Sequence, residues 1–262
     1  MKYKISDVKR ILNISEDTLR YFDNKKIIKT IRDKNNNYRY FKAEDINKIF
    51  AYKMYRSLLF TMNDADQLIS GRPVDMLESK LIEQLEVIGK EEEYLIRAKK
   101  HITLLTEKIN KWKQFKGGFE VTKSPGFYYH RNQTASSFIR DDDVFENTYQ
   151  CLNYLPDIWP CFCYAPSQCR SVSGFSFGYG FYTKQAVPIQ GLLHLPSAKC
   201  LYTMFTMEGD LAQYLPELLL KADTYCRTNG HALEGILYGS IIHEMEENGR
   251  TIRLFDAYIP IT

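Results

Sequence analysis

Long apolar runs are missing from this chain of 262 residues. No stretch of about 18 consecutive apolar residues occurs, so no transmembrane helix is predicted. The opening Met1-Lys2-Tyr3-Lys4 lacks the apolar core of a secretory signal. Cysteine is absent before Cys151, and the six that follow are irregularly spaced. In a chain of this length that pattern reads as reduced thiols in a cytoplasmic protein, not a disulfide framework. Cys161 and Cys163 fall on one face of a strand pattern with Cys169 near, but Pro160 and the apolar neighbours point to core thiols rather than a metal site. There is no glycine-rich phosphate loop and no nucleophile elbow. The five histidines, His101, His130, His194, His231 and His243, show neither ligand nor triad spacing. A protein without enzymatic activity, cofactor or metal is therefore expected.

Charge is present, but unevenly placed. Residues 1–60 hold 15 Lys and Arg against 7 Asp and Glu, residues 61–116 hold 10 against 10, and residues 117–262 hold 10 against 15. A basic head suits a polyanion, because phosphate contacts dominate nucleic-acid affinity. The acidic tail suits a different ligand.

In the head, Val8, Ile11 and Leu12 have helical spacing after Ser6, a predicted N-cap. Ser15 is a second predicted N-cap, and Glu16 and Asp17 complement the helix dipole behind it. Leu19 and Phe22 would face inward, leaving Thr18, Arg20 and Tyr21 outside. Two helices within about 20 residues outline a helix-turn-helix. The polar run Arg32–Asn37 and the aromatic Tyr38-Arg39-Tyr40-Phe41 then read as a β-wing, with one of Tyr38 and Tyr40 packed inward. A helix is predicted from Ala43-Glu44-Asp45, and another capped by Asn63-Asp64.

From Glu78 to Lys113 there is no proline and one glycine, Gly89. Leu81, Ile88, Leu95, Ile102 and Ile109 recur at intervals of seven, and Leu85, Ala98, Leu105 and Trp112 fill much of a second seam. This heptad pattern predicts a coiled coil, most simply a two-fold dimer, with packing of the helix on its own globular core as the alternative. Lys116-Gly117-Gly118 ends it. Beyond, the order strand, helix, strand, strand occurs twice, and Ser124–Tyr129 is faintly echoed in Pro196–Tyr202. The predicted fold is thus multi-domain, α and α+β: a winged helix-turn-helix in 1–76, a coiled-coil dimerisation helix in 77–116, and an internally duplicated α+β domain in 117–262.

Residues 117–262 contain 12 Tyr, 10 Phe and one Trp. Buried phenols need partners, so this excess suggests a cavity wall. Tyr149, Tyr154, Trp159, Phe162, Tyr164, Tyr202, Tyr238 and Tyr258 are the candidates. An aromatic ligand would stack there, and a cationic one would gain roughly 0.5–2 kcal/mol per cation–π contact. Glu234, Glu244 and Asp256 are candidate counter-charges. Glu244 is preferred because strict alternation along a strand puts it on the face of Tyr238 and Ser240.

The stretch Ile5–Asn63 resembles the MerR-family DNA-binding domain, most specifically in Ser15–Asp23 and Asn37-Tyr38-Arg39-Tyr40-Phe41. It departs from the family at Phe22, where a second Tyr is usual, and at Leu59-Phe60-Thr61, where Gly-Phe-Ser/Thr is usual. Phe119–Thr262 looks like a GyrI-like effector-binding domain of the multidrug-sensing regulators, by order of elements, duplication and the terminal Ala257-Tyr258-Ile259-Pro260. Its drug-binding members carry a buried Glu after the Tyr matched by Tyr238, and Gly239 stands there in this chain. Metal-sensing MerR relatives place a Cys at the start of the long helix, where this chain has none.

The resemblance implies a homodimer on double-stranded promoter DNA. Its contacts are expected from Ser15, Thr18, Arg20, Tyr21, Lys25, Arg32, Lys34, Tyr38, Arg39 and Tyr40. It further implies a small-molecule effector whose binding kinks and underwinds an over-long promoter spacer for bacterial RNA polymerase holoenzyme. Two alternatives stand beside this ligand-responsive activator: a GyrI-like hydrolase using Glu244 with Tyr238, and a ligand-blind repressor.

Overall fold

The computed structural model describes residues 2–32, 38–71, 73–165, 174–183 and 187–262. Lys34 and Cys169 lie outside the described residues. The chain divides into two compact units, Met1–Tyr94 and Leu95–Thr262.

The first unit opens with β1 (Tyr3–Lys4) and α1 (Ile5–Leu12). The expected N-cap, Ser6, lies inside α1, because the chain leaves a strand pairing directly into the helix. Asp7 supplies the cap instead, its carboxylate accepting the Lys4 N–H at 2.8 Å. Asn13, left-handed at φ 48°, ends α1. Then α2 (Glu16–Asn24) starts as expected at Ser15, whose hydroxyl accepts the Thr18 N–H at 3.1 Å.

Next come β2 (Ile31–Arg32) and β3 (Arg39–Phe41), which join β1 in a small antiparallel sheet of order β1-β3-β2. This is the predicted wing. The helices α3 (Ala43–Ser57) and α4 (Met62–Ile69) complete the head. Thr61, and not Asn63-Asp64, caps α4, its hydroxyl accepting the Asp64 N–H at 3.1 Å. Val8, Leu19, Phe22, Phe41 and Ile49 form the centre of the core.

Both departures from the family pattern have a physical reading. Leu59 sits at φ 66°, in the left-handed region that a glycine enters at no steric cost. Phe60 is fully buried and Thr61 caps, so the rest of the motif does its work with Leu59 bearing the strain. Phe22 is 1% exposed and meets Tyr52 edge to face at 4.9 Å, an environment without need of a hydroxyl.

The long helix α5 (Val74–Gln114) has 41 residues, and the division between the units falls within it. No residue along it is fully buried.

In the second unit the chain continues through β4 (Glu120–Lys123), β5 (Phe127–Gln133), α6 (Asp142–Leu152), β6 (Trp159–Ala165) and β7 (Gly174–Tyr182). It then repeats as β8 (Leu193–Leu195), β9 (Lys199–Glu208), α7 (Leu211–Thr228), β10 (Leu237–Glu247) and β11 (Arg250–Pro260). The predicted duplication thus includes an extra short strand in each half, β4 and β8.

All eight large-sheet strands pair antiparallel in the order β4-β9-β11-β10-β6-β7-β5-β8. Reading that order from either end gives the same sequence of equivalents, so the pseudo-dyad runs between β10 and β6. Each half lends its short strand to the other, β4 to β9 and β8 to β5.

One face of the sheet is covered by α7, whose Leu211, Leu215, Leu218, Ala222 and Cys226 recur at helical spacing and pack against Phe162, Leu201 and Phe255. Cys151 of α6 packs on the same face, with Phe181. On the opposite face lie Leu105, Ile109 and Trp112 from the last turns of α5, with Phe115 just beyond its end.

Candidate functional sites

The basic head presents its predicted contacts from α2 and the wing. Thr18 is half-buried and shares a hydrogen bond with Ser15, hydroxyl to hydroxyl at 2.8 Å. Arg20 is exposed and held along the helix by Glu16 at 3.1 Å and Asp17 at 3.8 Å. Such surface pairs are worth little, so a phosphate can take the guanidinium over at small cost. Lys25 lies 6.0 Å from the centre of the half-buried Tyr21 ring. Arg32 is exposed on β2, and Arg39 faces Asp23 at 3.1 Å. Tyr38 is exposed and Tyr40 half-buried, their rings 5.9 Å apart.

Sequence reasoning missed the acid that joins these elements. Asp23, on α2, takes the Thr30 hydroxyl at 2.8 Å and Arg39 of the wing at 3.1 Å. The buried Asp45 likewise accepts the N–H groups of Lys29 and Lys42. The wing is therefore fixed to α2 and α3 by two carboxylates. Burial raises the Tyr52 hydroxyl to about 12, with Tyr21 adding to the shift.

In the second unit the sheet face under α5 carries a cluster of aromatic rings. Tyr202, Tyr258 and Tyr238 stand side by side in register on β9, β11 and β10. Tyr238 stacks on Phe127 at 4.8 Å, and Tyr182 lies 4.9 Å from Phe127 and 6.2 Å from Tyr258. Trp159 closes one side, stacked 4.3 Å from His101 of α5. Burial holds the phenols of Tyr182, Tyr202 and Tyr258 well above their ordinary range, and nearby Asp256 adds to each shift. All three stay neutral.

At the centre of the cluster is a carboxylate. Asp256 is completely buried. One oxygen accepts the Ser240 N–H at 3.0 Å and the Ser240 hydroxyl at 2.5 Å; the other receives the Lys108 ammonium from α5. Lys108 Nζ also lies 5.2 Å from the Trp159 ring and 5.3 Å from the Tyr182 ring. The Tyr182 and Tyr238 hydroxyls are buried without a regular hydrogen bond among the described residues. An opening of about 270 Å³ leads to this region, lined by Leu104, Lys108, Lys111, Tyr202 and Tyr258 among others. A larger hollow of about 510 Å³ at the β10–β11 turn is bordered by Glu208, Glu247, Asn248 and Arg250, so it lacks the apolar walls of a ligand site.

Of the predicted ligand residues, Trp159, Tyr202, Tyr238 and Tyr258 meet in this cluster. The others do not. Tyr149 is exposed on α6, and Tyr154 packs on Phe181 across the sheet. Phe162 and Tyr164 alternate away from Cys161 and Cys163 and join the α7 core. Glu244 pairs with Arg253 at 2.6 Å, because a β-bulge between Ile241 and His243 reverses the alternation that would have aligned it with Tyr238. Phe127, Tyr182, Ser240 and Lys108 were missed; Lys108 belongs to a helix that the heptad pattern assigns to another partner. Gly239 projects toward Phe162 on the α7 side.

Along α5, Leu81, Leu95 and Ile102 are exposed at 38, 56 and 64%, and Ile88 is half-buried. Ile109, the last of the series, packs on the sheet with Leu105 and Trp112. Among the described residues no group of three His, Cys, Asp or Glu is placed to hold a metal ion, and no helix is long and apolar enough to cross a membrane.

Residues 3–71 match the family model of the MerR HTH family regulatory proteins. Among solved structures, a MerR family transcriptional regulator from Bacillus cereus is similar over 42% of this chain and 84% of its own, at 18% identity and a TM-score of 0.39. The regulator in the EcmrR-DNA complex in EcmrR-RPo aligns over 97% of both chains, at 13% identity and a TM-score of 0.36. The EcmrR C-terminal domain aligns over 56% of this chain and 99% of its own, at 9% identity and a TM-score of 0.38. No curated protein matches the chain. The segment from residue 3 to residue 71 thus combines a capped helix pair and a three-stranded wing with a match to the MerR HTH family model.

Proposed function

We propose that this chain is a dimeric, ligand-responsive transcription regulator of promoter DNA, with a GyrI-like effector domain of the multidrug-sensing kind. The observation that carries the reading is the winged head, in which Arg20, Lys25, Arg32 and Arg39 are displayed by α2 and the wing around the Asp23 tie. Arg and Lys at the edge of a recognition helix serve phosphate and base contacts. The exposed stripe of Leu81, Leu95 and Ile102 supports pairing of two copies along α5. The aromatic cluster around Asp256 supports a small-molecule effector.

In this reading effector binding shifts a dimer between two states on the DNA, kinking and underwinding the spacer so that RNA polymerase holoenzyme can engage both promoter elements. The protein acts in the cytoplasm and as an activator. The hydrolase reading is not favoured, since Glu244 and Tyr238, which it requires together, lie on opposite sides of the bulge.

The test is a footprint of the full chain on its own promoter region, followed by transcription in vitro with holoenzyme across a panel of aromatic and cationic compounds. The expected result is a symmetric footprint and a compound-dependent rise in transcript. Absence of any DNA binding at low salt would overturn the proposal.

A further inference from the structure

Resting on that reading, we infer that Lys108 is a built-in ligand: its ammonium occupies the Asp256 aromatic cage that an organic ammonium effector takes over. A free cation site in a protein needs a carboxylate shielded from water and ring faces turned toward the charge. Both are present, and both are already engaged by a side chain of the molecule itself. Asp256 is completely buried, Ser240 fixes one of its oxygens with two hydrogen bonds, and among the described residues the remaining oxygen is paired with Lys108. The same ammonium has Trp159 at 5.2 Å and Tyr182 at 5.3 Å. These are the contacts that a primary or secondary alkylammonium would make.

Lys108 differs from its cage in one respect. The cage belongs to the sheet, whereas Lys108 belongs to α5 and is still 18% exposed, beside an opening to solvent. The opening is lined by Lys108 and not by Asp256, Trp159 or Tyr182, so a small cation reaches the cage as Lys108 follows its flexible stem outward into water. Exchange of one ammonium for another keeps Asp256 paired throughout, so no buried charge is left uncompensated. The exchange removes a tie between α5 and the sheet beside Leu105, Ile109 and Trp112, which makes the helix the element that senses occupancy. The neighbouring Lys111 is differently placed, since it has Glu120 at 2.6 Å and the Tyr202 ring at 4.1 Å and does not reach Asp256.

The experiment uses the full chain with n-butylammonium, which reproduces the end of a lysine side chain, and n-butanol as its neutral counterpart. Calorimetry should show n-butylammonium binding to Lys108→Ala at least tenfold more tightly than to the wild type. No gain is expected for n-butanol, and the gain should vanish in Lys108→Ala/Asp256→Asn. If Lys108→Ala does not fold, the wild type still answers: acetylation of Lys108 by a succinimidyl ester, followed by mass spectrometry, should accelerate several-fold when N,N-dimethylbutylammonium is added, a cation that keeps one N–H for Asp256 but forms no amide with the ester. Equal affinities in wild type and Lys108→Ala, or labelling indifferent to the cation, would overturn the inference. DNA binding is measured on the same samples at low salt. Retained DNA binding with a failed cation test removes the cage alone, whereas loss of DNA binding in the wild type removes the regulator reading beneath it.

Discussion

Replacing Ile102 by Asp separates the two tasks assigned to α5. The side chain is 64% exposed in the single chain, so the fold itself loses little when it is changed. Full burial of an Ile is worth roughly 1.5–3 kcal/mol, so covering the exposed part contributes about 1–2 kcal/mol. A two-fold dimer counts this twice, giving about 2–4 kcal/mol, and at 1.4 kcal/mol per decade the loss is near a hundredfold in dimer affinity. Two apposed aspartates across the dyad add to it. Sedimentation equilibrium should therefore show a dimer for the wild type at micromolar concentration and a monomer for Ile102→Asp, with the same far-ultraviolet circular dichroism. DNA affinity should drop with the loss of dimerisation, because one head then binds one half-site alone. An Ile102→Asp protein that remains dimeric with unchanged affinity would refute the seam.

Three further outcomes follow from the same geometry. Leu59→Gly relieves a left-handed leucine and should raise the stability of the head by up to about 1 kcal/mol after the extra unfolded-state entropy of glycine is subtracted, read from chemical denaturation. Lys25→Ala should weaken DNA binding similarly on all sequences and flatten the salt dependence by roughly 0.9 in slope, the loss of one phosphate contact. His130 is held below its ordinary pKa by burial, with Nε2 near the Thr148 hydroxyl at 2.8 Å and the carbonyl of Val144 partly opposing the shift. The unfolded chain therefore binds the proton more readily, so this residue's contribution is present above pH 6.5 and is lost as pH falls below it. His130→Gln should flatten the decline of the melting temperature between pH 7 and pH 5.

The head was legible in the sequence because its signals are local. Ser15 caps α2 through Thr18, three residues on, and the wing aromatics alternate over four residues. The caps that were misplaced, at Ser6 and Asn63, fail by one or two residues where a neighbouring side chain, Asp7 or Thr61, has the better reach. The second unit was legible as an order of elements and as a duplication, since each half writes its own pattern. Its cluster was only half legible. Trp159, Tyr202, Tyr238 and Tyr258 were found from composition, but Glu244 was chosen by an alternation that a bulge breaks. Lys108 was hidden because the heptad count treats α5 as having one partner. Its last turns at Leu105, Ile109 and Trp112 meet their own sheet, while Leu95 and Ile102 remain exposed.

The position of the acid follows from how closely β10 and β11 approach. A Cβ on Gly239 would stand 2.0 Å from the Asp256 carbonyl oxygen and 2.8 Å from the Phe162 ring. The first contact is with backbone, which cannot swing aside, so any side chain there forces the two strands apart. Overpacking of a core usually costs about 1–3 kcal/mol, and a backbone clash belongs at the upper end. Gly239→Ala should therefore lower the melting temperature of the second unit by roughly 6 °C or more at about 2–4 °C per kcal/mol. It should also disturb the Ser240–Asp256 hydrogen bonds on the adjoining residues. Ser240→Ala removes one of those bonds without touching the strand spacing. It should preserve the melting temperature better than Gly239→Ala while weakening n-butylammonium binding to the Lys108→Ala background. An unchanged melting temperature in Gly239→Ala would mean that the strands can part there after all. A carboxylate at position 239 would then be tolerated, and the reason for placing the acid at Asp256 would be lost.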